Sequence, residues 1–101
     1  MKVLVIGSGG REHAIVWALR RSLKVTEVVC APGNAGIAQI ARCVPVNAGD
    51  ADAILQLAQT EQPQLTVMGP ELPLSVGAVD ELTKHGFRVF GPTKRAAQLA
   101  Q

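Results

Sequence analysis

Apolar and polar residues follow two alternating patterns along the chain. Short, nearly continuous apolar runs are typical of strands buried on both faces of a sheet, and they lie at 2–6, 25–31, 42–46, 65–69 and 87–91. Apolar residues at helical spacing predict helices at 11–22, 50–62 and 74–86, a helical turn near 37–40 and a last helix over 92–101. The chain is therefore expected to alternate strands with helices.

Strands separated by helices in this way favour right-handed crossovers between parallel strands. The predicted fold is a three-layer, Rossmann-like α/β domain with an open parallel sheet of strand order 3-2-1-4-5. Pro45 cannot donate a ladder hydrogen bond, so we expect the third strand at a sheet edge. The 101 residues suit one domain, 1–101. Because the last helix runs to residue 101 without a stop signal, we expect this domain to come from a longer polypeptide.

The helical spacing also predicts which side chains face the sheet. They are Ala14, Ile15, Ala18 and Leu19 in the first helix, Ala51, Ile54, Leu55 and Ala58 in the second, and Ala78, Val79 and Leu82 in the third. We expect Trp17 in the core or at an interface rather than stacked on a ligand.

Composition narrows the class of protein. Hydrophobic residues make up 48% and charged residues 18%, a balance typical of a folded globular domain. The net charge of +2 is scattered and aromatic residues make up only 3%, which argues against a nucleic-acid partner. No apolar run approaches the roughly 20 residues of a membrane span, so we expect a cytoplasmic protein without a membrane partner. Cys30 and Cys43 lack the spacing of a metal or redox motif and are expected to be reduced, partly buried thiols.

Two loops are predicted to face each other across the expected ligand crevice. In sheets of this order, ligands bind beyond the carboxyl ends of the strands where the order reverses, here between the loops 7–12 and 69–74. Gly7 permits a tight turn, and Gly9 and Gly10 let the backbone approach a ligand. The helix that follows directs unpaired N–H groups outward, as a phosphate site requires. A glycine turn that only connects strand to helix remains the alternative.

A dinucleotide is disfavoured in this crevice. The fingerprint G-x-G-x-x-G requires a small sixth residue, but Glu12 stands there. It also requires an acidic residue at the end of the second strand, where this sequence has Cys30, Ala31 and Pro32. The dinucleotide-binding domain of a nicotinamide-dependent oxidoreductase therefore remains only an alternative, beside a non-enzymatic interaction module.

Other residues near the crevice are less informative. Glu71 could accept hydrogen bonds from sugar hydroxyls or an ammonium group, or it could be a solvated loop residue. The segment 32–36 forms a third loop at the same edge, in which Pro32, Gly33 and Asn34 are weaker binding candidates and local turn bonds are favoured for Asn34. For His13, packing at the helix start is favoured over acid–base chemistry. We assign no catalytic residue.

The motifs VLVIGSGGREHA, APGNAG, MGPELPL and FGPTKRAAQLA occur in an order and spacing that resemble a known family. This family is the phosphoribosylamine–glycine ligases, or glycinamide ribonucleotide synthetases, which belong to the ATP-grasp ligases. The resemblance covers essentially the whole chain and corresponds to the amino-terminal, pre-ATP-grasp domain. It implies an enzyme of purine biosynthesis that joins 5-phosphoribosylamine to glycine while ATP is hydrolysed to ADP and phosphate.

The resemblance also implies a division of roles. Gly7, Gly9, Gly10 and Arg11 become candidates for binding the phosphate or ribose of phosphoribosylamine, and Glu71 for binding its ribose or amine. ATP and Mg²⁺ (or Mn²⁺) would be bound by ATP-grasp and carboxy-terminal domains of the same polypeptide, expected beyond residue 101. The present chain would bind neither cofactor and would be inactive alone.

Overall fold

The computed structural model describes residues 1–69 and 77–90. Two predicted features lie outside these residues: the helix over 92–101 and most of the loop 69–74, including Glu71.

The described residues form five strands and three helices. They are β1 (Lys2–Gly7), α1 (Gly10–Arg20), β2 (Glu27–Pro32), a 3-10 turn (Ile37–Gln39), β3 (Arg42–Cys43), α2 (Ala51–Glu61), β4 (Leu65–Met68), α3 (Ala78–Lys84) and β5 (Val89–Phe90). All strand pairs are parallel, and the order is β3-β2-β1-β4-β5. The predicted fold class and strand order are thereby confirmed, with β3 at an edge as Pro45 indicated.

Strand β1 lies between two hydrophobic layers, one on each face of the sheet. Leu4 and Ile6 face one layer, and Val3 and Val5 face the other, and all four are fully buried. The first layer contains the buried residues of α2 and α3, among them Ile54, Ala58, Ala78 and Leu82. The second contains Val16 of α1 and Ile37 of the 3-10 turn. Burial on both faces explains why β1 is a continuous apolar run.

Helices α2 and α3 bury the faces that the sequence predicted. Ile54 and Ala58 are fully buried in α2, and Leu82 is fully buried in α3. The Asp50 side chain caps α2 by accepting hydrogen bonds from the N–H groups of Asp52 (3.0 Å) and Ala53 (3.2 Å). The cap fixes the start of α2 at Ala51.

Helix α1 is rotated relative to the prediction. Ile15 and Leu19 pack against the core as predicted, but Ala14 and Ala18 are exposed, and Glu12 and Val16 are buried. Trp17 is 53% exposed, and the Arg21 guanidinium lies 4.6 Å from the centre of its ring, so Trp17 is not in the core, and its place at an interface stays a prediction. The rotation arises because the Glu12 side chain inserts between the strand ends beside Gly7 and Gly69, and Val16, one turn further along, is buried with it.

Candidate functional site

The carboxyl ends of β1 and β4 meet where the strand order reverses. Gly7 ends β1, and Gly69 directly follows β4. The Gly69 N–H donates a hydrogen bond to the Ile6 carbonyl oxygen (2.9 Å). The structure thus brings together the first residues of the two loops that the sequence predicted to face each other.

The glycine loop opens directly into the N-terminus of α1. Gly9 is the N-cap residue, and the His13 N–H makes the first helical hydrogen bond, to the Gly9 carbonyl oxygen (3.1 Å). The N–H groups of Gly10, Arg11 and Glu12 therefore precede the helical hydrogen-bond pattern and sit at the positive end of the helix dipole. Gly10 and Arg11 are exposed, and a Cβ on Gly10 would meet no atom within 4 Å. This end of the helix is open to an anion.

The third loop is bonded to the glycine loop. Pro32 pairs with Gly7 across β1 and β2, and the Gly33 N–H donates to the Gly7 carbonyl oxygen (3.0 Å). The Asn34 amide donates to the Ser8 carbonyl oxygen (2.8 Å) and accepts from the Ile37 N–H (2.9 Å). The bond with Ile37 is the local turn bond that was favoured for Asn34, and the bond to Ser8, 26 residues away in sequence, joins the two loops.

His13 packs against the same loop. Its side chain is half-buried, and a Cβ on Gly36 would lie 3.1 Å from His13 Cε1 and 3.3 Å from Asn34 Oδ1. This contact supports the packing interpretation of His13, and it explains why a glycine stands at position 36.

Glu12 is the residue whose place the sequence did not indicate. It is 2% exposed, and a Cβ on Gly7 or on Gly69 would overlap its Oε1 atom. The carboxylate therefore lies between the ends of β1 and β4, at the reversal point itself. The available signal was an acidic residue in the first turn of a helix that follows a buried strand, but its burial depends on Gly69, far along the chain.

Cys30 lies beside this carboxylate. Its thiol is fully buried and donates a weak hydrogen bond to the Gly7 carbonyl oxygen (3.5 Å). Burial, followed by the charges of Cys43 and Glu12, raises the pKa of the Cys30 thiol to about 12. Both cysteines are free thiols, as predicted.

Residues 1–69 and 77–90 contain neither a group of metal ligands nor a membrane-spanning helix. Within these ranges, no three His, Cys, Asp or Glu side chains are grouped so that they could hold a metal ion. None of the helices there combines the length and apolar character that a bilayer-spanning helix requires.

The parallel sheet, the reversal of strand order between β1 and β4 and the helix that follows the glycine loop define a Rossmann-like α/β domain. Residues 1–100 match the family model described as phosphoribosylglycinamide synthetase, N domain. The chain belongs to this family, which confirms the resemblance seen in the sequence motifs.

Curated relatives named phosphoribosylamine–glycine ligase match most of this chain. The chain is 55% identical over 101 residues to the phosphoribosylamine–glycine ligase of Xanthomonas campestris pv. campestris, covering 98% of the chain and 23% of that relative. It is 48% identical over 99 residues to the ligase of Caldanaerobacter subterraneus subsp. tengcongensis, covering 98% of the chain and 24% of that relative. The chain thus spans about a quarter of the length of these relatives.

Solved structures agree in fold. A phosphoribosylamine–glycine ligase from Thermotoga maritima matches with a TM-score of 0.59 and 29% identity, over 94% of this chain and 20% of that one. A Mycobacterium tuberculosis structure titled glycinamide-RNase-transformylase T matches with a TM-score of 0.73 and 25% identity, over 88% and 26%. Saccharopine dehydrogenase (L-Glu forming) from Saccharomyces cerevisiae matches with a TM-score of 0.68 over 97% and 23%, but at 14% identity it shares the fold alone.

Proposed function

We propose that this chain is the amino-terminal domain of an ATP-dependent ligase that joins 5-phosphoribosylamine to glycine in purine biosynthesis. The family match over residues 1–100 and the 55% identity to a relative named phosphoribosylamine–glycine ligase support this activity for the whole enzyme.

Within that enzyme, the chain's role is to bind phosphoribosylamine. The open N-terminus of α1 carries this assignment, because it presents N–H groups and a positive dipole end beside the crevice. Gly7, Gly9 and Gly10 bring backbone close to the phosphate, and the exposed Arg11 side chain adds a positive charge. Glu71, in the loop that follows β4, would accept hydrogen bonds from the ribose hydroxyls or the amine.

The chain would contribute to the reaction by positioning the amine of phosphoribosylamine. The phosphate, anchored at the helix N-terminus, and the ribose, oriented across the crevice, would direct the amine toward the carboxyl group of glycine. Residues 1–69 and 77–90 hold no group of three His, Cys, Asp or Glu side chains that could bind a metal ion. We assign ATP, Mg²⁺ and glycine activation to other domains of the same polypeptide, and no catalytic group to this chain.

An NMR titration with ribose 5-phosphate tests the binding role. We expect the largest amide shift changes at Gly9, Gly10 and Arg11. Gly10→Glu would weaken binding by about tenfold or more, because it places a carboxylate beside the bound phosphate. Ala14→Glu is the matched control, since Ala14 is exposed one turn further along the same helix. Shift changes confined to other faces would contradict the proposal.

The same titration separates the two alternatives. A dinucleotide-binding domain would give saturable binding of NADH, and an interaction module would bind neither small molecule. The fold shared with a dehydrogenase at 14% identity does not favour the first alternative.

A further inference from the structure

We propose that Glu12 is a specificity-determining residue that excludes pyrophosphate-bearing ligands, dinucleotides among them, and reserves the crevice for a sugar with a single phosphate. This inference rests on the proposed function, because it concerns the ligand of the same crevice.

The position of the carboxylate carries the inference. Glu12 is the third residue of α1, and its Oε1 atom lies so close to Gly7 and Gly69 that a Cβ on either would overlap it. These two glycines end the strands on either side of the reversal point. The side chain therefore fills the base of the crevice where ligands of this fold class bind.

The same position has a different occupant in dinucleotide-binding domains. There a small residue lets the helix pack closely, and the pyrophosphate lies across the helix N-terminus. Here the space is taken by the Glu12 carboxyl group, which in its ionised form also carries negative charge. Repulsion between like charges is strong where water is excluded, and it increases with the charge of the ligand.

A single phosphate can avoid this repulsion. Gly10 and Arg11 are exposed residues at the helix N-terminus, whereas Glu12 is 2% exposed, and we place the monophosphate at the N–H groups of Gly10 and Arg11. A monophosphate bound at these N–H groups stays away from the carboxylate, but a pyrophosphate that crosses the crevice does not. The charge of Glu12 also reaches its neighbours, since it contributes to the raised pKa of the Cys30 thiol.

Calorimetric titrations of the 101-residue chain with ribose 5-phosphate and with inorganic pyrophosphate test the inference. The measured quantity is the ratio of the pyrophosphate Kd to the ribose 5-phosphate Kd, in buffer free of divalent metal. Glu12→Gln keeps the shape and removes the charge, and we expect it to lower this ratio by about tenfold or more. Glu27→Gln is the matched control, because it removes one carboxylate at the amino end of β2, and its ratio should equal that of the wild type.

The outcomes separate the two proposals. If the wild-type chain does not bind ribose 5-phosphate, both the proposed function and this inference fail. If it binds ribose 5-phosphate but the ratio is unchanged in Glu12→Gln, only the inference fails. Should Glu12→Gln not fold by circular dichroism, Glu12→Asp replaces it, since the shorter side chain withdraws the charge from Gly69. An unchanged ratio in a folded Glu12→Asp variant would then overturn the inference.

Discussion

At the scale of single residues, the burial of the Cys30 thiol makes the free energy of unfolding depend on pH. Its pKa is raised from the ordinary 9.0 to about 12, chiefly by burial. Between these pH values, the unfolded chain loses the thiol proton while the folded chain keeps it. The contribution of the protonated Cys30 thiol to stability is therefore fully present below pH 9, and it is lost as pH rises toward 12.

We expect the free energy of unfolding of the wild type to fall above pH 9 more steeply than that of Cys30→Ala. The difference in slope should approach, at most, about 1.4 kcal/mol per pH unit. Urea denaturation between pH 8 and pH 11 measures it. Cys43→Ala is the matched control and should keep most of the wild-type slope, because the Cys43 thiol is only half-buried. Equal slopes for the wild type and Cys30→Ala would contradict this account.

At the scale of elements, the N-cap of α2 is held by one side chain. Asp50 accepts two backbone hydrogen bonds, whereas Asp52 is exposed in the first turn. Asp50→Ala should lower the free energy of unfolding by about 1 kcal/mol, and Asp52→Ala by only a few tenths. Urea denaturation at pH 7 compares them. Equal losses would mean that the helix dipole, and not the cap, governs the start of α2.

The carboxyl end of α2 is joined to the sheet by Glu61. Its carboxylate bonds to the Arg42 guanidinium and lies 2.9 Å from Lys2 Nζ, and these contacts, with Arg42 first, lower its pKa below the ordinary 4.5. A lowered carboxyl pKa stabilises the fold above pH 4.5 and ceases to do so as pH falls through the lowered value.

Glu61→Gln should therefore cost about 1 kcal/mol at pH 7, and the difference from the wild type should shrink below pH 4.5. Thermal unfolding from pH 7 to pH 3 follows this difference. The side chain of Glu27 is 45% exposed in the same network, and Glu27→Gln should cost less. A Glu61→Gln deficit that stays constant down to pH 3 would exclude a charge-dependent contribution.

Local patterns predicted most elements of this fold, and the exceptions have a common cause. Apolar runs and helical spacing were sufficient for the sheet order and for the buried faces of α2 and α3, which pack in one hydrophobic cluster with β1. The predicted face of α1 was wrong for Ala14 and Ala18, because the Glu12 side chain lies between two strand ends, a contact that depends on Gly69. In the candidate site, the glycine loop could be predicted from the residues around it. The burial of the Glu12 carboxylate could not, because it depends on which glycines lie beside this side chain in the fold.

At the scale of the whole molecule, two hydrophobic layers share one sheet. Ile54 belongs to the layer of α2 and α3, and Val16 belongs to the layer of α1, while β1 contributes side chains to both. Loss of packing in either layer therefore removes support from the same central strand. A small domain of this size has only about 5–15 kcal/mol of total stability, so neither layer is expected to persist without the other.

Ile54→Ala should lower the free energy of unfolding by about 2–5 kcal/mol, and Val16→Ala by about 2 kcal/mol. Leu23→Ala is the control, because Leu23 is fully exposed and its loss should change stability by less than about 0.5 kcal/mol. Trp17 is the one tryptophan of the chain and lies on α1, so its fluorescence reports the α1 layer, whereas far-ultraviolet circular dichroism reports all elements. In Ile54→Ala the two signals should change at the same urea concentration, although the substitution is on the opposite face of the sheet. Separate midpoints would show that the layers unfold independently and that β1 does not couple them.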